Sequence, residues 1–300
     1  MILVTGATGN VGSELVPILL EAGEGVRAIT RDAMKARFSE QVEVVSLDLK
    51  NSDESVDHIF DGVGAVFLNP ASIKDPSSFI ESARQAGVRR IVLLSAMVID
   101  DNLPWEEQTG FIARRHKHLE GLIEASGLEW THVRSNMLMS NAFFEIGPHL
   151  RKGNVVTQPY GDAHSAPVDE RDVAAVAAKA LLEDGHHGMC YELTGPSSVT
   201  ERDKVRLIAE ATGRPISFKE ITHQEAAVLM LASFPVQHSN GLAEEHIETV
   251  LNYAAAAVDV PAAISPTVEN LLERPPYSYN EWAHSRRDRF PASADHALAN

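Results

Sequence analysis

Among its 300 residues the chain has a single cysteine, Cys190. A lone thiol forms no intramolecular disulfide and builds no cysteine-rich metal site, and it fits a reducing compartment. Positive charge is also scarce. With 26 Lys+Arg against 42 Asp+Glu the formal net charge is -16, a field that repels nucleic-acid phosphates, so no nucleic acid is expected as a ligand. No apolar run is long enough to span a bilayer, and no membrane role is expected. A strand read from Ile2 onward leaves no room for a leader peptide, which makes the cytoplasm the expected location. His-Glu-x-x-His and Cys-x-x-Cys are both missing, and neither His116 with His118 nor His186 with His187 has helical ligand spacing. No metal is therefore expected. The Gly-x-Ser-x-Gly elbow of many serine hydrolases is missing too.

What is present is a regular alternation. Short apolar runs at Ile2 to Thr5, Val26 to Thr30, Val42 to Leu47, Ala65 to Leu68, Ile91 to Ser95 and Glu129 to Val133 read as strands. Between them, helical periodicity covers Val11 to Ala22, Val56 to Phe60, Pro76 to Ala86 and Glu106 to Ser126, with stops at Gly23, Gly87 and Gly127. Strands covered on both faces and joined by right-handed crossovers imply an α/β fold, a Rossmann-type doubly wound parallel sheet with a smaller C-terminal substrate-binding α/β region. Residues 1–153 form the expected cofactor domain. Residues 154–300 form the substrate region, from which a helix (Val168 to Leu182) and a strand (Cys190 to Thr194) return to the sheet. The segment Arg151 to Ala166, rich in Gly, Pro and polar residues, reads as a soft boundary. Beyond Gly195 come a helix, a short strand (Ile216 to Glu220) and more helices through Tyr253, and the tail from Pro291 has no pattern to bury.

The first strand runs into Gly6-Ala7-Thr8-Gly9-Asn10-Val11-Gly12. In such a turn the first glycine permits a sharp exit, the second lets backbone approach a diphosphate, and the third lets helix pack on strand. The helix N-terminus then faces the anion with free N–H groups. Glycine-rich turns are common, and the strand before and the helix after give this one its meaning. The end of the second strand reads Thr30-Arg31-Asp32. An acidic residue there accepts from a ribose 2′-OH and an arginine neutralises a 2′-phosphate. Arg31 comes first, with Arg27 and Lys35 close in sequence, which favours NADP(H) and leaves NAD(H) open; the alternative is that Arg31 and Asp32 are solvated charges capping the next helix.

The runs VTGATGNVG, VRAITRD, GVRRIVLLSA, HLEGLIEASGLEWTHVRSNMLMSN, PVDERDVAAVAAKALL and YELTGPSSVT together resemble the NmrA-like atypical short-chain dehydrogenases, a family of quinone oxidoreductases, triphenylmethane dye reductases and redox-sensing regulators. The match runs through about the first 215 residues. It implies that Gly6, Thr8, Gly9, Asn10, Val11 and Gly12 hold the diphosphate and that Arg31 meets the adenosine ribose or its phosphate. Asp48 and Leu49 would flank the adenine, while Asn69, Pro70, Ser95 and Ala96 would line the nicotinamide half. His116 stands where relatives carry a His or Lys near the nicotinamide. The Tyr-x-x-x-Lys pair of ordinary short-chain dehydrogenases is missing, since none of the five tyrosines has a lysine four residues on.

That departure makes His116 the first candidate for a chemical role, because an unperturbed imidazole titrates near neutral pH. The basic stretch Arg114 to His118 reads equally as a solvated helix face. Asn136 and Asn141 either orient substrate through their amides or serve as turn caps. Phe143 and Phe144 could wall a pocket for an aromatic or quinone-like molecule, as could the apolar stretch Ala226 to Phe234, which reads more simply as a buried helix. The expected activity is NAD(P)H-dependent hydride transfer to a small conjugated, quinone-like or carbonyl substrate. A non-catalytic redox sensor and a cofactor-retaining epimerase or isomerase are the alternatives. The expected partner is a small molecule, with a homodimer also open.

Overall fold

In the computed structural model, which describes residues 1–33, 36–51, 55–233 and 242–291, the apolar runs form one seven-stranded sheet. Lys35, Phe234 and the tail after Pro291 lie outside the described residues. Strands β1 (Ile2–Thr5), β2 (Val26–Thr30), β3 (Val42–Ser46), β4 (Ala65–Leu68), β5 (Arg90–Ala96), β6 (Glu129–Ser135) and β9 (Met189–Leu193) stand in the order β3-β2-β1-β4-β5-β6-β9. Every pairing is parallel. The winding reverses between β1 and β4, and such a reversal opens a crevice at the carboxyl ends of the strands.

Strand alternation decides which face each side chain supplies. Ile2, Val4 and Phe67 pack beneath α1 (Gly12–Glu21) and α6 (Glu170–Leu182). Leu3, Val66 and Leu68 pack beneath α2 (Pro76–Gln85) and α3 (Gly110–Glu124). In α1 the buried positions Gly12, Leu15, Val16 and Leu19 recur at helical spacing, so one stripe meets the sheet.

The amino-terminal edge of the sheet is closed by arginines. Arg27, near the start of β2, holds both oxygens of Glu43 (2.8 and 2.9 Å) and the carbonyls of Ile59 and Asp61, each at 2.8 Å. The expectation that Arg27 adds to a 2′-phosphate site is therefore overturned. It lies at the wrong end of β2, with its donors already used. Arg90, opening β5, binds Glu129 at 3.0 Å, Asp184 at 2.7 Å and the carbonyls ending α6.

Several boundaries differ from the sequence reading. Val56 to Phe60 forms only a 3-10 turn, Asp57–Phe60. The helix expected from Glu106 begins at Gly110, because buried Gln108 spends its side chain on the amide and carbonyl of Asp100 and the carbonyl of Leu103. Within the segment read as a boundary lie two strands. β7 (Val155–Gln158) pairs in parallel with β11 (Ser217–Glu220), and β8 (His164–Ser165) runs antiparallel to β10 (Val199–Thr200). Around them α4 (Ala142–Glu145), α5 (Gly147–Lys152), α7 (Glu201–Thr212) and α11 (Tyr279–Ser285) enclose a second core centred on Trp282, which is fully buried. Two further helices, α8 (His223–Ser233) and α9 (Leu242–Ala256), share a small core and reach α3 through an Arg114–Glu245 ion pair. α10 (Thr267–Leu272) adds Val268 to the core beneath α6. Among the described residues no helix is long and apolar enough to cross a membrane.

Candidate active site

At the exit of β1, Gly6 has φ +63°, a conformation that L side chains rarely adopt. A Cβ there would stand 2.7 Å from Asn69 Nδ2, and one at Gly12 would stand 2.3 Å from the Gly6 carbonyl oxygen. The turn closes with the Gly9 amide donating to Gly6 O at 2.9 Å. Val11 caps α1 with no side-chain hydrogen bond, and its own side chain is buried, so it offers a ligand only backbone. The first turn of α1 thus faces the crevice with its amides uncapped by any side chain. That geometry fits a dinucleotide diphosphate. Thr8 is exposed and Asn10 half-buried on the same turn. Beside it the Thr5 hydroxyl donates to Phe67 O at 3.2 Å and accepts from the Asn69 amide at 2.7 Å, aligning the ends of β1 and β4.

Arg31 is exposed at the end of β2. Asp48, after β3, accepts from Asn51 Nδ2 and the Lys50 amide, and these bonds, with the Arg31 charge beyond them, hold its carboxyl below the usual range. Leu49 is buried. Asn69 turns its side-chain oxygen onto the Ala71 amide at 3.0 Å, and Pro70 is buried. Ala96 is half-buried at the end of β5. Ser95, one residue earlier, points the other way: its hydroxyl donates to Glu120 Oε1 at 2.6 Å, so toward the crevice it offers only backbone.

Glu120 belongs to a buried network that the motifs did not reveal. Arg134 of β6 donates to both its oxygens (2.9 and 2.7 Å) and to both oxygens of Asp101 (2.7 and 2.8 Å). Hydrogen bonds from Arg134 hold the Asp101 carboxyl far below its ordinary range. Glu120, Glu124 and His132 bring ligand atoms within 4.8 Å of one another. The cation already on Glu120 is the Arg134 guanidinium. The sequence did carry a signal: Glu120 falls on the inward stripe of α3 with Ala113 and Ile123, where a lone acid implies a buried partner.

His116, on the same helix, is half-buried, and its Nδ1 is shielded from solvent with no hydrogen-bond partner. Burial, reinforced by the Arg115 charge, lowers its pKa to about 4. The imidazole is therefore neutral at pH 7. It does not titrate near neutrality, and the reason for which the sequence favoured it as a proton donor does not hold. A neutral ring with an unsatisfied nitrogen is suited instead to hydrogen bonding with a ligand.

Past β6, the Asn136 side-chain oxygen accepts from the Met137 amide at 2.7 Å, which is turn capping. Asn141 precedes α4 without a side-chain cap bond. Phe143 is engaged by Trp282 and Phe290, at 5.3 and 5.0 Å between ring centroids, and by the Arg289 guanidinium, so its ring packs in the second core. Phe144 beside it is 72% exposed. The PVDERD run, read only as part of a resemblance, nucleates a buried acidic cluster. Glu170 accepts from the Ser140 amide and Trp282 Nε1, and Asp172 from the Tyr277 amide; burial raises the pKa of both. These bonds fasten the second region to the start of α6.

Residues 6–184 match the model of a family described as NAD(P)H-binding. The chain is 35% identical over 294 residues to the (4-alkanoyl-5-oxo-2,5-dihydrofuran-3-yl)methyl phosphate reductase of Streptomyces griseus, covering 97% of this chain and 99% of the relative. It is 29% identical to the NAD(P)H azoreductase of Xenophilus azovorans, over 98% of this chain and all of the relative. The solved NADPH complex of an NADPH-dependent quinone oxidoreductase from Escherichia coli superposes with a TM-score of 0.73 at 22% identity, covering 95% of this chain and 99% of that one. The chain belongs to the NAD(P)H-binding family, in its NmrA-like branch of atypical short-chain dehydrogenases, and is an NAD(P)H-dependent oxidoreductase.

Proposed function

We propose that the protein reduces a small conjugated acceptor, quinone-like or carbonyl-bearing, and that it prefers NADPH. The observation that carries this reading is the glycine cradle at the β1–α1 turn, placed where the strand order reverses. Two relatives matched along nearly their whole length are named for reducing an oxo-dihydrofuran phosphate and for azo reduction. Both names describe electrophiles whose π bonds can take up hydride, which supports a reductase over a sensor or an epimerase. When bound, the nicotinamide supplies the hydride.

The chain's own residues bind and orient. Gly6, Thr8, Gly9, Asn10, Val11 and Gly12 hold the diphosphate, largely through backbone, and Arg31 meets the 2′-phosphate. Asp48 and Leu49 flank the adenine. Asn69, Pro70, Ala96 and the backbone of Ser95 shape the nicotinamide half, and His116 presents a neutral imidazole to the ligand there. Asn136 and Asn141 border the substrate side, and exposed Phe144 suits the aromatic wall better than Phe143. A free thiol at Cys190 accords with a reducing cytoplasm. The test follows NADPH consumption with a panel of quinones, enones and azo dyes. Turnover with one of these classes supports the reading; silence across the panel from folded, NADPH-binding protein rejects these acceptor classes.

A further inference from the structure

Glu14 stands in the first turn of α1, the turn that runs out of the glycine cradle. A carboxylate there suits the helix dipole, yet it repels an anion received by the amides of the same turn. In a chain of net charge -16 that repulsion adds to a field already unfavourable to phosphates. The Glu14 carboxylate is met by the guanidinium of Arg286, 272 residues further along the chain. Their side chains are 29% and 23% exposed, so water screens the pair only in part.

The second region builds the route by which Arg286 arrives. Ser278 and Glu281 form a capping box that starts α11. Within that helix Trp282 is fully buried and donates to Glu170 Oε2 at 3.1 Å, which fixes α11 to the start of α6. α6 in turn packs beside α1 on one face of the sheet. The Arg286 amide donates to the Trp282 carbonyl at 3.0 Å, so the arginine leaves the helix one turn beyond its anchor. Arg171 also lies near Glu14, but it is bonded to Asp169 and stacked on the Tyr277 ring at 3.8 Å. Among the described residues, Arg286 is the cation that Glu14 bonds.

We propose that Arg286 is a positioning residue for the dinucleotide: by neutralising Glu14 it clears negative charge from the turn that receives the diphosphate, so that the C-terminal part of the chain sets cofactor affinity. The inference rests on the diphosphate lying at the Gly6 to Gly12 turn.

Calorimetry with NADPH and NADH tests it. Arg286→Met strands the Glu14 charge and is expected to weaken both cofactors by the same factor, about five- to tenfold at about 0.05 M salt, because both carry the diphosphate. That factor should shrink to about twofold or less at about 1 M salt, where the screening length is about 3 Å. Arg286→Lys keeps the charge and should bind within about twofold of the parent. Glu14→Gln combined with Arg286→Met also lacks the ion pair, yet its affinity should return to the parent value, which a merely structural role of the pair does not allow. Melting curves report integrity. Should Arg286→Met fail to fold, Glu14→Gln alone gives the second reading: it is expected to bind at least as tightly as the parent, and weaker binding contradicts the proposal. Parent-like affinity in Arg286→Met, or a double substitution as weak as the single one, overturns it when Gly12→Val has lost binding. If Gly12→Val binds like the parent, the placement of the diphosphate fails instead, and the inference with it.

Discussion

The arginines that open β2 and β5 and the groups around the β1–α1 turn differ in how far their hydrogen bonds are saturated. At the amino-terminal edge Arg27 and Arg90 spend their donors on carboxylates and carbonyls that close the ends of neighbouring elements. At the carboxyl-terminal edge the first turn of α1 has no side-chain cap, Arg31 is exposed, and His116 Nδ1 is shielded without a partner. Saturated groups hold the fold together, and unsaturated ones are available to a ligand. The contrast extends to arginines on one strand, since Arg27 and Arg31 lie four residues apart at opposite ends of β2.

The contrast can be broken first at Gly12. A Cβ there would meet the Gly6 carbonyl oxygen at 2.3 Å, so Gly12→Val is expected to weaken NADPH binding by more than about 100-fold by displacing α1 from the turn. Calorimetry together with circular dichroism separates lost binding from lost fold. At the other edge, Arg90→Met leaves the carbonyls ending α6 unpaired. We expect a loss of about 3 kcal/mol in denaturant unfolding, with the NADPH dissociation constant unaltered. A large change in that constant would contradict the division between the edges.

His116 gives a pH-dependent test. Its folded pKa of about 4 lies below the ordinary 6.5, so between those values the unfolded chain binds the proton more readily. Stability attached to this ring is complete above about pH 6.5 and declines as pH falls toward 4, by about 2 kcal/mol between pH 7 and pH 5. Unfolding of His116→Gln at the two pH values should show that much less slope than the parent. The same depression predicts a turnover rate with no His116 titration between about pH 6 and 8. The smallest effect is expected at Arg31. Arg31→Ala should weaken NADPH about tenfold and leave NADH unchanged, as an exposed charge on a phosphate implies; equal losses for both cofactors would remove Arg31 from the 2′-phosphate site.

Much of the crevice was legible because its parts are local. Gly6 to Gly12 occupy one turn, and the ends of β1, β2, β4 and β5 fall within two residues of the expected positions. Other features depend on distant partners and left weaker traces. Gln108 delays α3 by binding residues five to eight positions earlier, Asp100 and Leu103. β7 is only four residues long, too short for a pattern of its own, and its pairing partner β11 lies some sixty residues away. Ser95 looked free to line the crevice until Glu120 placed an acceptor behind it.

Apolar periodicity and the glycine turn, both carried by neighbouring residues, determined the α/β class, the parallel winding and the place of the cofactor. Tertiary structure alone decided which arginines are structural and which face solvent, and whether His116 carries a proton. Ionisation and hydrogen-bond saturation depend on burial and on partners from other elements, and a linear pattern does not encode that distance. Identical side chains on β2 therefore have different roles according to the edge they reach.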